Sequence, residues 1–158
     1  MKHRFTKLAA TTLLMSFAAG AMAAGTSADE LLHDADAVLQ QIDASHGGAL
    51  WDNAAPFVKT KFERSQFITQ LQQQRQSYGA VTSRGWASVT RLQYTNSHDV
   101  PDGLYANVDY ASHTTDGKTV FELVSFRLEP DGQWRLVGYN ARGTQERNPT
   151  VQQVAPKP

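Results

Sequence analysis

An α+β fold, with N-terminal helices packed on a curved four-stranded antiparallel sheet, follows from two changes along the sequence. Up to Gly79, apolar residues recur three and four positions apart, the period of a helix with one buried stripe. After Gly79 the period becomes two, in four segments rich in aromatic and β-branched residues. The connections between those segments are too short to hold a crossover helix, so neighbouring strands must run antiparallel. A striped helix and a one-faced sheet each need a partner, and helices on one face of the sheet satisfy both. The arrangement is a roll of the cystatin-like or nuclear-transport-factor-like kind.

The segment SADELLHDADAVLQQIDASHGG reads as the first helix. Ser27 caps it, with Glu30 three residues later as a capping box requires. Leu31, Ala35, Val38, Leu39 and Ile42 form its stripe, and Gly47 and Gly48 end it. ALWDNAAPFVKTKF is a short second helix with Pro56 interrupting it and Trp51, Phe57 and Phe62 in the core. Ser65 caps SQFITQLQQQRQSYG, in which Phe67, Ile68, Leu71 and Arg75 share a side and the glutamines form a solvated face. The strands are TSRGWASVTRLQYT, GLYANVDYASHT, KTVFELVSFRLE and QWRLVGYNAR, with Gly117 and Gly132 in the two tight turns. Trp134 and Tyr139 stand an odd number of residues apart, so both can be core only if a bulge intervenes.

The chain opens with Lys2, Arg4 and Lys7, then an uncharged apolar run from Leu8 to Ala19, then Ala21-Met22-Ala23. That order is expected of a secretory signal peptide over residues 1–23. The run is short for a membrane span, and no stable span is expected after cleavage. The bacterial periplasm is the expected destination, with full secretion as the alternative. Residues 27–143 are expected to form one domain and 144–158, with three prolines and few large apolar residues, a disordered tail. The whole chain has 15 basic and 15 acidic residues, and removing 1–23 takes three bases and no acid, leaving a charge of about −3. Nothing in that balance favours nucleic acid. With no cysteine, disulfides, thiolate chemistry and Cys–zinc sites are excluded.

His33, His46, His98 and His113 show no metal-ligand spacing, and Ser83, Ser88 and Ser125 no nucleophile-elbow context. Neither a metal nor a cofactor is expected. The residue that asks for an explanation is Glu122. It alternates with Val120, Val124 and Phe126, so a helix-covered face would bury it and require a partner. Arg84 or Arg75 could supply one through a two-pronged contact. Such a pair could fix the fold, or hold a polar ligand in a pocket. The candidate binding set is Arg75, Arg84, Glu122 and Tyr139. An unpaired Glu122 with a raised pKa could instead act as a base, as a carboxylate does in some roll folds. Trp86, Tyr94, Tyr105, Tyr110, Trp134 and Tyr139 are the sheet's aromatic set, with Arg127 and Arg135 flanking it; ordinary cross-strand packing is their expected role, the alternative being an exposed stripe that binds a partner.

Several pieces together resemble a family of exported bacterial proteins, domain of unknown function 4019. They are Trp51, Phe57 and Phe62; Phe67 to Arg75 with Gly79, Val81, Ser83 and Arg84; VPDGLYANVDYAS; and Glu122 with DGQWRLVGYNAR. They span roughly residues 30–143. The chain departs from the family pattern at Phe67, often Trp, and in the loop NSHDVPDG, which lacks Leu-Pro-Gly. The resemblance implies architecture and compartment, and no mechanism. The expected role is a non-catalytic periplasmic binding or accessory protein, engaging a protein or small ligand of the cell envelope. The alternatives are a small isomerase- or lyase-like enzyme using Glu122 and an immunity or inhibitor protein acting on an envelope enzyme. The open sheet face would also allow a homodimer.

Overall fold

The computed structural model describes residues 27–144. The signal peptide expected over 1–23 and the tail from Gln145 lie outside them. Four helices, α1 (Ala28–Asp43), α2 (Gly47–Asp52), α3 (Pro56–Lys61) and α4 (Arg64–Gln76), precede four strands. These are β1 (Val81–Tyr94), β2 (Gly103–Thr114), β3 (Thr119–Leu128) and β4 (Trp134–Arg142). The sheet is an antiparallel meander in the order β1-β2-β3-β4, so the fold is α+β. Among the described residues no helix is long and apolar enough to cross a membrane.

The period-two pattern assigns the faces of the central strands. Ala106, Val108, Tyr110 and Ser112 of β2 and Val120, Glu122, Val124 and Phe126 of β3 are buried on the helix side. Against them lies the α1 stripe, Leu31, Ala35, Val38, Leu39 and Ile42, the residues that the helical spacing selects. Phe67 and Leu71 of α4 complete that layer, with Trp51 tilted against Phe67 at 5.5 Å between ring centroids. Both tight turns place glycine at positive φ, 79° at Gly117 and 78° at Gly132.

Three helix boundaries differ from expectation. Ser27 does cap α1, accepting the N–H of Asp29, but Gly47 and Gly48 open α2 and do not close α1. The stop comes from Ser45 at φ 59°, where the N–H of Ser45 reaches the Ile42 carbonyl and that of His46 the Gln41 carbonyl. Gly47 lies close to α4: a Cβ there would stand 3.2 Å from the Ile68 side chain, which would have to shift slightly. Since Ser45 holds a left-handed conformation that L side chains disfavour, Ser45→Gly is expected to raise stability by about 1 kcal/mol in urea unfolding. A loss of stability would mean that the serine side chain compensates.

The segment read as a short helix that Pro56 kinks or ends is two helices. Pro56 begins α3, and Ala54 and Ala55 between the helices reach the sheet, the N–H of Ala55 bonding the Leu136 carbonyl at 2.8 Å. That break changes the phase of α3. Val58 is therefore buried with Leu50, Trp51 and Phe57 pack at the core margin, and Phe62 is exposed. The cap of α4 is Glu63, not Ser65. Glu63 stands three residues before Gln66, whose side chain accepts the Glu63 N–H.

In β4 the odd separation of Trp134 and Tyr139 is resolved by a bulge. Gly138 pairs with Ser125 and Leu136 with Phe126, leaving Val137 as the extra residue. Trp134, Leu136, Tyr139 and Ala141 are all buried as a result.

A saturated ion cluster as the candidate functional site

β3 carries Glu122 into the core side of the sheet at 1% exposure. A carboxylate so buried needs its lone pairs filled. Arg84, opposite Ser112 on β1, donates from Nε to Glu122 Oε2 at 2.7 Å and from Nη2 to Oε1 at 3.2 Å. The Ser112 hydroxyl donates to Oε2, and the Tyr139 hydroxyl to Oε1 at 2.7 Å. These four bonds occupy the roughly four lone-pair sites of a carboxylate.

Arg84 turns its other edge to Asp43 in the last turn of α1, with Nη1 to Oδ2 at 2.5 Å and Nη2 to Oδ1 at 3.0 Å. Arg75 of α4 donates from Nε to the same Asp43 at 2.8 Å and from Nη1 to the Gly79 carbonyl. Two arginines and two carboxylates thus cancel in charge while tying α1, α4, β1 and β3 together. Of the four expected residues, Arg84, Glu122 and Tyr139 touch directly. Arg75 reaches them only through Asp43.

Burial by itself would raise the Glu122 pKa. The bonds from Arg84, Ser112 and Tyr139, with the charge of Arg84, outweigh it and hold the carboxyl below its ordinary value of 4.5. Asp43 is likewise held below 3.8, burial being outweighed by Arg84 and Arg75. The Tyr139 hydroxyl is pushed far up by burial and then by the negative Glu122 beside it. Tyr110, bonded to Asp36 of α1 at 2.7 Å, is raised by burial and by that aspartate.

A pH dependence of folding follows. Depressed carboxylates contribute stability above their unfolded pKa and lose it as pH falls through the folded value. Raised tyrosines contribute below their ordinary 10.0 and lose it as pH climbs beyond. The urea midpoint is therefore expected to be flat from roughly pH 5 to 9 and to fall on both sides. Asp34, raised by burial and by Glu30, acts weakly against the acid limb. A midpoint that rose on acidification would contradict the cluster's assignment as fully ionised.

Two grooves border the cluster, and Glu122 lines neither. One, of about 40 Å³ between α1, α2 and α4, includes Arg75, Ile42 and Leu71. The other, of about 200 Å³ between α1 and β1, includes Asp36, Leu39, Gln40, Thr82, Ser83 and Arg84.

Sequence reasoning missed Asp43 and Ser112. Ser112 had a usable signal, since it continues the alternation of Val108 and Tyr110 on the core face, where a hydroxyl needs a partner. A second ion pair was also missed: Asp109 accepts from Arg142 at 2.5 Å and faces Ser88 at 3.4 Å, away from the helix-facing residues of β2. Most of the aromatic set is packed, and the alternative of an exposed stripe does not form among the described residues. Tyr105, Tyr110, Trp134 and Tyr139 are buried, while Trp86 at 61% and Tyr94 at 37% are the exposed members. Arg127 lies over the Tyr105 ring and bonds Glu129 and the Asp102 carbonyl, and Arg135 bonds Asp131.

The family model described as a protein of unknown function (DUF4019) matches residues 34–139. The chain belongs to this family. All six members of the cluster, Asp43, Arg75, Arg84, Ser112, Glu122 and Tyr139, fall inside the DUF4019 match, whereas Arg142 of the second pair falls beyond it. No curated protein and no solved structure matches the chain.

Proposed function

We propose that this DUF4019 protein is an exported, non-catalytic binding or accessory domain of the bacterial cell envelope, released into the periplasm by cleavage after Ala23. The observation that carries the non-catalytic reading is the saturation of Glu122. A general base needs a free lone pair and a pKa near the working pH. Glu122 has neither, because Arg84, Ser112 and Tyr139 fill its oxygens and its pKa is lowered. An isomerase- or lyase-like role would require Arg84 to leave, stripping the buried Glu122 of its cation and Asp43 of one of its two arginines. Export is supported by the charged, apolar and small-residue order of residues 1–23. The cluster serves as the frame that fixes the helices on the sheet, and binding is assigned to the surface.

Native mass spectrometry of the protein, produced from its own start and purified from the periplasm, tests this reading. The expected result is a chain beginning at Ala24 with no retained small molecule. A full-length chain retained in the cytoplasm would defeat the export proposal. A retained small molecule that disappears in Glu122→Gln would restore the pocket and enzyme readings.

A further inference from the structure

The sheet's two outer edges are treated differently. At β4 the backbone of Ala54 and Ala55 bridges Leu136. At β1, the other terminal strand, no strand or bridge among the described residues pairs with the outer side. That side presents unpaired backbone N–H and C=O groups, the template onto which an extended peptide adds. The 200 Å³ groove lies along the same stretch, with Val81 to Arg84 on one wall and Asp36, Leu39 and Gln40 of α1 on the other. Trp86 follows on the strand at 61% exposure, paired in register with Tyr110, whose hydroxyl bonds Asp36. A strand edge, a groove beside it and an exposed tryptophan therefore coincide.

The charge of the helix wall selects the occupant. α1 carries Asp29, Glu30, Asp34, Asp36 and Asp43 and no lysine or arginine. Asp29, Asp36 and Asp43 are spaced seven apart and so share one flank of the helix. Asp43 already receives an arginine from β1, since Arg84 docks on it. The Arg84 charge is consumed by Asp43 and Glu122, so it does not offset the acidity of the rest of the flank.

We propose that an extended, basic segment of a partner protein adds to the outer edge of β1 over Val81–Trp86. Its backbone would extend the sheet, its lysines or arginines would face the Asp29–Asp36 flank of α1, and an apolar residue would cover Trp86. This rests on the binding reading above and assigns a surface and a partner chemistry to it.

The test is amide NMR on the isotopically labelled exported chain, titrated with three octapeptides: alternating Lys–Val, alternating Glu–Val, and Lys–Val with alternate backbone amides N-methylated. The expected result is shifts at Val81–Trp86 and Asp36–Gln40 with the first. Affinity should fall about tenfold or more with the second and be lost with the third. Trp86→Ala, an exposed position that leaves the fold intact, should weaken the first peptide about fivefold. The proposal is overturned by no shift up to millimolar peptide, or by equal binding of the acidic peptide. Shifts confined to another surface overturn this site while leaving the binding reading in place; a Glu122-dependent retained molecule is what would fail that reading. A concentration-dependent dimer that excludes the peptide assigns the edge to a second copy and overturns the partner segment.

Discussion

Arg84→Ala is expected to remove about 3–5 kcal/mol of folding stability, read as a lowered urea midpoint at pH 7. The size follows from what the substitution leaves behind. Glu122 would remain at the centre of the core with only the Ser112 and Tyr139 hydroxyls, and a buried carboxylate without its cation is far costlier than the pair was favourable. The same reasoning predicts that Arg84→Met combined with Glu122→Leu recovers much of the loss, because both charges leave together. A single-variant cost below about 1 kcal/mol would put this pair with ordinary surface ion pairs and sink the framework role given to it.

Tyr139→Ala is expected to be at least as damaging, by more than about 4 kcal/mol. Val137 is the bulge residue of β4, and its insertion puts Tyr139 and Ala141 on the same buried face as Trp134. In the alanine variant the core would lose a buried aromatic, worth about 3–5 kcal/mol, and Glu122 would lose a charged hydrogen bond worth about 1.5–3 kcal/mol. Tyr139→Phe separates the two contributions, since it removes only the bond and should cost the smaller amount. Equal losses in the two variants would show that the ring's burial contributes nothing beyond its hydrogen bond.

The strands were legible because period two survives in β2 and β3 without interruption. GLYANVDYASHT coincides with β2 from Gly103 to Thr114, and the alternation around Glu122 marks its burial correctly. The Arg84 partnership was legible in kind, since a buried carboxylate on that face demands a cation. Asp43 was not, because its contact spans 41 residues and a polar residue in the last turn of a helix gives no sign of its partner. Phe62 was misplaced because the backbone of Ala54 and Ala55 bonds β4, a tertiary contact that divides one apparent helix into two. Gly47 was misread for a related reason: glycine signals both a helix stop and a close approach, and the nearness of Ile68 decides between them.

The bridge between Ala54 and Leu136 also bears on how copies of this chain could stack. An open-ended fibre built from edge to edge needs two free edges per molecule, so that each newcomer offers another. Here the N–H of Ala55 already occupies the carbonyl of Leu136 midway along β4, and any strand arriving there would meet a missing rung. A joint made through β1 uses up the edge that, among the described residues, carries no such bridge. Sheet extension through β1 is therefore disfavoured beyond a pair of copies, and the backbone of two alanines, Ala54 and Ala55, is what stands against a filament at β4.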